Sequence, residues 1–122
     1  MKQKNRLKRA VYPRIRVLCG EEIALGPGKV DLLEVVAQTG SLREAAERMG
    51  MSYMRAWNLV RTMNQCFKSP LVIAARGGRL RGGTTLTTTG KEALKLYRQL
   101  ELDCARAMKP RWARLQKLLR SL

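Results

Sequence analysis

Apolar side chains recur along this chain at two periods, and the changes of period mark out its elements. From Tyr12 to Leu25 they alternate loosely (Ile15 and Val17, then Ile23 and Leu25) around Cys19-Gly20-Glu21-Glu22, which predicts a short β-hairpin turning near Gly20. Gly26-Pro27-Gly28 breaks that pattern. The period then turns helical: Val30, Leu33, Val36 and Ala37 predict a first helix over 29–38, ended by Gly40. Ser41 and Glu44 make the Ser-x-x-Glu capping pattern of a short second helix over 42–49, with Leu42, Ala45, Ala46 and Met49 on one face and Gly50 as its stop. Ser52 caps a third helix that runs to 67, with a buried stripe of Ala56, Val60, Met63 and Phe67 and with Trp57 alongside. Residues 71–75 and 84–87 read as strands on either side of a glycine-arginine tip, 76–83. Thr89 opens a long last helix from 90 to about 108, Pro110 interrupts it, and a further amphipathic turn or two follows over 111–122.

The predicted fold is mainly α with small β elements: a helix-turn-helix followed by a β-hairpin wing and a long C-terminal helix. The chain divides accordingly into a basic N-terminal tail (1–11), a winged helix-turn-helix domain (12–90) and a dimerisation helix with a basic C-terminal extension (91–122).

Charge narrows the choice of partner. The chain of 122 residues holds 25 Lys and Arg against 9 Asp and Glu, a net +16, and such an excess attracts polyanions. The cations are clustered: residues 1–20 hold Lys2, Lys4, Arg6, Lys8, Arg9, Arg14 and Arg16 with no acid, and no acid occurs between Phe67 and Gly90 either. That pattern points to double-stranded DNA as the partner, met by the helix-turn-helix unit through its third helix. The face of that helix opposite the core stripe carries Ser52, Tyr53, Arg55, Asn58, Arg61, Thr62 and Gln65 with no carboxylate; Arg suits guanine, and Asn or Gln suits adenine. Arg76, Arg79 and Arg81 in the wing can straddle phosphates or enter a minor groove. A nucleotide-binding loop is the rival reading of those glycines, but neither Gly-x-x-x-x-Gly-Lys-Ser/Thr nor Gly-x-Gly-x-x-Gly is present. On the last helix Ala93, Leu96, Tyr97, Leu100, Cys104 and Ala107 recur at spacings of three and four, a seam for a second copy of the chain and hence a homodimer.

Other classes fit less well. With no histidine the chain lacks the commonest general base and metal ligand, so no catalytic residue, metal site or cofactor is expected. Cys19, Cys66 and Cys104 are too far apart and too few for a disulfide or metal framework and are expected as buried free thiols in a reducing, cytoplasmic setting. No apolar run approaches the roughly 20 residues that span a bilayer, and no membrane partner is expected; the basic segment 111–122 with Trp112 is a weak anchor at best. A non-specific nucleoid-associated protein remains the alternative to a sequence-specific regulator, because charge alone does not separate them.

The run Gln38-Thr39-Gly40-Ser41-Leu42-x-x-Ala45-Ala46-x-x-Met49-Gly50-Met51-Ser52-Tyr53-x-x-Ala56-Trp57 resembles the N-terminal DNA-binding domain of molybdate-dependent, ModE-type regulators. The likeness continues through Met63-Asn64, Pro70-Leu71-Val72, the double-glycine wing and Leu86-Thr87-x-x-Gly90, and LysR-type DNA-binding domains are similar more distantly. The resemblance implies a winged-helix dimer joined through its long helices on a two-fold operator. By position it would set Ser41 and Arg43 near phosphates, Ser52, Tyr53 and Arg55 at the start of the recognition helix, and Arg76, Arg79 and Arg81 in the wing. Of the other matching residues, Trp57 and Met63 are expected in the core and Asn64 in a structural role. Full-length members bind molybdate in C-terminal β-barrel domains; this sequence stops at Leu122, so no small-molecule effector is expected from it.

Overall fold

A computed structural model of the chain describes residues 9–75 and 83–121. It begins with the expected hairpin, β1 (Val17–Cys19) paired antiparallel with β2 (Glu22–Leu25). Three helices follow: α1 (Pro27–Thr39), α2 (Leu42–Arg48) and α3 (Tyr53–Cys66). The wing hairpin is β3 (Val72–Ala74) with β4 (Thr84–Leu86), in the register Val72–Leu86, Ile73–Thr85, Ala74–Thr84. The last element is α4 (Thr88–Gln116).

Two starts differ from the expected ones. Pro27 opens α1 where the sequence suggested a break, because the first helical position needs no N–H and favours the fixed φ of proline. At α4 the cap is Thr87, not Thr89: its Oγ1 accepts from the Gly90 N–H at 2.9 Å and its hydroxyl donates to the Pro70 carbonyl at 2.7 Å. Pro110 does not end α4. A proline there removes one hydrogen bond and not the helix, and the end of the helix is held from outside: Arg9 donates to the Gln116 carbonyl at 3.3 Å, and residues 10–13 line one hollow with Ala105, Met108 and Trp112.

The core joins all of these elements. Leu25 of β2, Val30, Leu33 and Val36 of α1, Leu42, Ala45 and Ala46 of α2, Ala56 and Met63 of α3, Leu71, Val72 and Leu86 at the wing base, and Tyr97 of α4 are buried together. The alanines let α2 and α3 approach closely, and each large aliphatic side chain withdrawn from water contributes about 1.5–3 kcal/mol. Tight chemistry fixes the turn between α2 and α3: Gly50 sits at φ 68°, a left-handed conformation open to glycine, and the Met51 N–H returns to the Ala46 carbonyl at 3.0 Å.

Candidate nucleic-acid interface

The Ser52 hydroxyl starts α3 by accepting from the Arg55 N–H at 3.0 Å. Ala56 and Met63 are then fully buried, with Leu59 and Val60 partly so. At about 100° per residue, the line opposite them holds Met54, Asn58, Arg61 and Gln65, at spacings of four, three and four, and all four are exposed. Tyr53 and Trp57 flank that line on the side of the wing, across a groove whose far wall is Ile73, Ala74 and Thr84. Arg55 and Thr62 flank it on the other side, in a shallow hollow shared with Glu22 and Lys29.

Two arginines on this surface lie on aromatic rings. Arg43, from the first turn of α2, stands 4.8 Å from the Tyr53 ring centre, and Arg61 stands 5.2 Å from that of Trp57. A guanidinium held on a ring keeps its N–H edge free while its stem is immobilised, which lowers the entropy lost on meeting an anion. Arg61 also donates to Asn58 Oδ1 at 3.4 Å, so the two polar groups at the middle of the line are aligned with each other.

Among the described residues Glu22, in the hollow beside Arg55, is the one carboxylate that lines either side of this face, and five others are paired elsewhere. Glu44 pairs with Arg48 on α2 at 3.1 Å and Asp103 with Arg106 on α4 at 3.3 Å. Asp31, Glu34 and Glu101 gather on Arg98, joining α1 to α4. Partial burial alone would lower the Arg98 guanidinium, but hydrogen bonds to Glu34, Glu101 and Asp31 outweigh it and hold the group above the usual arginine range. α3 has no acid of its own, so the charge that it carries is positive, with Glu22 and Lys29 beside it at one edge.

The expected site residues thus fall into groups. Arg43, Tyr53, Arg55, Asn58 and Arg61 are exposed on one surface, with Thr62 half-buried at its edge and donating to the Asn58 carbonyl at 3.0 Å. Ser41 and Ser52 are helix caps, and Ser41 is also tied by its N–H to Thr39 Oγ1 at 3.2 Å. Each cap hydroxyl uses a lone pair and retains its O–H to donate. Arg76, Arg79 and Arg81 lie outside the described residues. Trp57 is a correction: expected in the core, it is 43% exposed, because it lies about 100° from Ala56 and supports Arg61 instead. Met54, at 63% exposure the most open apolar side chain of α3, is not among the expected site residues; its spacing to Asn58, Arg61 and Gln65 is the signal that marks it. Asn64 is structural, as expected. Its Oδ1 accepts from Leu71 N at 2.8 Å and Val72 N at 3.2 Å, and its Nδ2 donates to the Val72 carbonyl at 3.0 Å, so the wing's first strand is hung from α3.

On α4 the expected seam divides. Tyr97 is 1% exposed and its hydroxyl donates to the Ile15 carbonyl at 2.7 Å, so it belongs to the chain's own core, and Ala93 packs against that core. Leu96, Leu100 and Ala107 stay exposed in a strip roughly 60–100° round the helix from Tyr97, while Cys104, about 20° from Tyr97, is half-buried at its edge. The thiols differ from expectation as well: Cys19 is exposed, while Cys66 and Cys104 are half-buried. Burial and the neighbouring Cys19 push the Cys66 thiol up. Among the described residues no three His, Cys, Asp or Glu stand together as a metal site, and no helix is long and apolar enough to cross a membrane.

Residues 28–91 match the bacterial regulatory helix-turn-helix proteins of the lysR family. The molybdenum transport protein ModE of Azotobacter vinelandii is 39% identical over 85 residues, which cover 70% of this chain and 32% of that protein. The DNA-binding transcriptional dual regulator ModE of Escherichia coli K12 is 35% identical over 77 residues, 63% of this chain and 29% of that one. The match therefore spans about a third of the length of these relatives. In three dimensions the chain is similar to that of the CbnR_DBD-DNA complex, with a TM-score of 0.55 and 22% identity over 70% of this chain and 94% of the other. ArgP from Mycobacterium tuberculosis gives 0.51 and 24% over 69% and 30%. At that identity the two structures bear on the fold alone, which is the winged helix-turn-helix.

Proposed function

The chain belongs to the lysR family of bacterial regulatory helix-turn-helix proteins, with a ModE-like winged domain, and from that premise we propose that it is a sequence-specific transcriptional regulator that binds duplex DNA as a homodimer. The family is one of regulators, not enzymes. The observation that carries the reading is the exposed line Met54, Asn58, Arg61 and Gln65 on an acid-free helix, bordered by two ring-supported arginines. Those side chains cover the vocabulary of major-groove readout: guanidinium for guanine, amides for adenine and a thioether for the thymine methyl. Ser41, Arg43 and Ser52 at the helix starts serve as phosphate contacts that set the register, and Arg55 and Thr62 extend the reading edge. Arg76, Arg79 and Arg81 serve the wing's contact with the adjacent groove.

The exposed strip Leu96, Leu100 and Ala107, with the half-buried Cys104 at its edge, serves as the dimer seam. Two copies joined there would present two recognition helices to a two-fold operator. Selection from a randomised duplex pool at physiological salt, with sedimentation of the free protein, tests both parts. A dimer that enriches a two-fold motif is the expected result. Tight binding with no enriched motif would replace the proposal with a non-specific nucleoid-associated protein.

A further inference from the structure

Residues 9–13, within the acid-free start of the sequence, meet its basic end in space. Arg9 lies against the last turn of α4 through its bond to the Gln116 carbonyl, and residues 10–13 line one hollow with Ala105, Met108 and Trp112. After Asp103 no carboxylate side chain occurs, while Arg106, Lys109, Arg111, Arg114, Lys117 and Arg120 are all exposed. Only Arg106 among them has an acid, Asp103, within ion-pair distance among the described residues. From Gly90 to Arg114 the helix rises about 36 Å at about 1.5 Å per residue, so this cationic end stands well away from the wing base.

We propose that this end of the molecule is a second DNA-binding surface, gripping the phosphate backbone of duplex DNA outside the stretch met by α3. The proposal rests on the DNA-binding reading above and adds a separate surface to it. Charge complementarity selects the occupant: exposed unpaired lysines and arginines with no acid among them match a polyphosphate. A lipid surface fits less well, because Trp112, the aromatic ring that would enter a bilayer interface, is half-buried in the wall of the hollow that it shares with the N-terminal segment. The contacts carry no sequence information, so they add affinity and salt dependence without changing which bases are read.

The test is the salt dependence of binding to a 60-bp duplex of random sequence, for the full chain and for Lys109→Gln/Arg114→Gln/Lys117→Gln. Each phosphate contact contributes about 0.9 to the slope of log affinity against log salt, so the triple variant should lose about two to three from that slope for each protomer whose end touches the duplex. Its preference for a selected motif over random DNA should stay unchanged. Lys109→Arg/Lys117→Arg, which keeps the charge, should keep the slope, and helicity by circular dichroism confirms folding of each variant. An unchanged slope in the triple variant overturns the proposal, as does a variant that loses phosphatidylglycerol vesicles but not DNA. A wild-type chain that binds no duplex at all would instead remove the reading on which it rests.

Discussion

A methyl group added to Gly90 would collide with the Leu71 carbonyl oxygen, because the first turn of α4 lies directly on the strand that enters the wing. Glycine to alanine normally strengthens a helix by up to about 1 kcal/mol. Here the sign should reverse, with Gly90→Ala costing about 1–3 kcal/mol of unfolding free energy, read as a lower urea midpoint, as backbone must move to relieve the overlap. An unchanged midpoint would show that the α4–wing contact is looser than described. Tyr97 makes a second prediction at this scale. Its hydroxyl ties α4 to Ile15, 82 residues earlier, and Tyr97→Phe should cost about 1 kcal/mol. Burial, then the charge of Glu101, raises the phenol above its ordinary 10.0, so the folded state resists its ionisation. The contribution of the neutral hydroxyl is fully present below pH 10 and is lost as the pH rises through the folded value. The gap between wild type and Tyr97→Phe should therefore narrow from pH 8 to pH 11, and a constant gap would remove the phenol as its source. Asn64 could be read as structural from its place in the ModE-like pattern, whereas Tyr97 and Trp57 exchanged their expected places. An aromatic residue beside a core stripe fits either side, and only the packing of neighbouring elements decides between them.

Helix α3 shows how far the pattern of a single element carries. Its cap, its length and its buried Ala56 and Met63 followed from the sequence, because a serine before an apolar period of 3.6 leaves few alternatives. Its outer face was legible for the polar side chains and not for Met54, since an apolar residue in a helix is assigned to the core by default. Arg55 stands at the edge of that face beside Thr62. Arg55→Ala should cost about 1–3 kcal/mol at a selected site and almost nothing on random DNA if its guanidinium reads a base. Equal losses on both would make it a phosphate contact. The reach of α4 was underestimated from Pro110 alone, because the supporting contact comes from residues 9–13, about a hundred positions away in sequence. The seam on α4 was legible in its spacing, but that spacing merged two faces, one for the chain's own core and one left open. Leu100, 45% exposed at the middle of the open strip, separates them. Leu100→Glu should leave the fold intact and halve the sedimenting mass by placing a charge in the proposed seam. A variant that still sediments as a dimer would move the interface elsewhere.

At the scale of the whole molecule, net charge sets the behaviour, and its magnitude was plain in the sequence while its arrangement was not. Counting charges gives +16 but cannot show that five of the nine carboxylates are drawn onto Arg98, Arg48 and Arg106, nor that Arg9 and Gln116 adjoin. The resulting field is carried almost entirely by lysine and arginine, and the chain has no histidine. No side chain of ordinary pKa therefore changes charge between about pH 6 and 7.5. Affinity for duplex DNA should be flat across that range at fixed ionic strength. The same affinity should fall by about 10³-fold or more between 50 and 200 mM salt if six or more phosphates are neutralised. Pairing the two measurements matters, because histidine-based recognition would also weaken with salt but would break near pH 6.5. A step in affinity near that pH would mean that some group outside the lysine and arginine set governs binding, and a shallow salt slope would confine the contact to far fewer phosphates than the exposed cations allow.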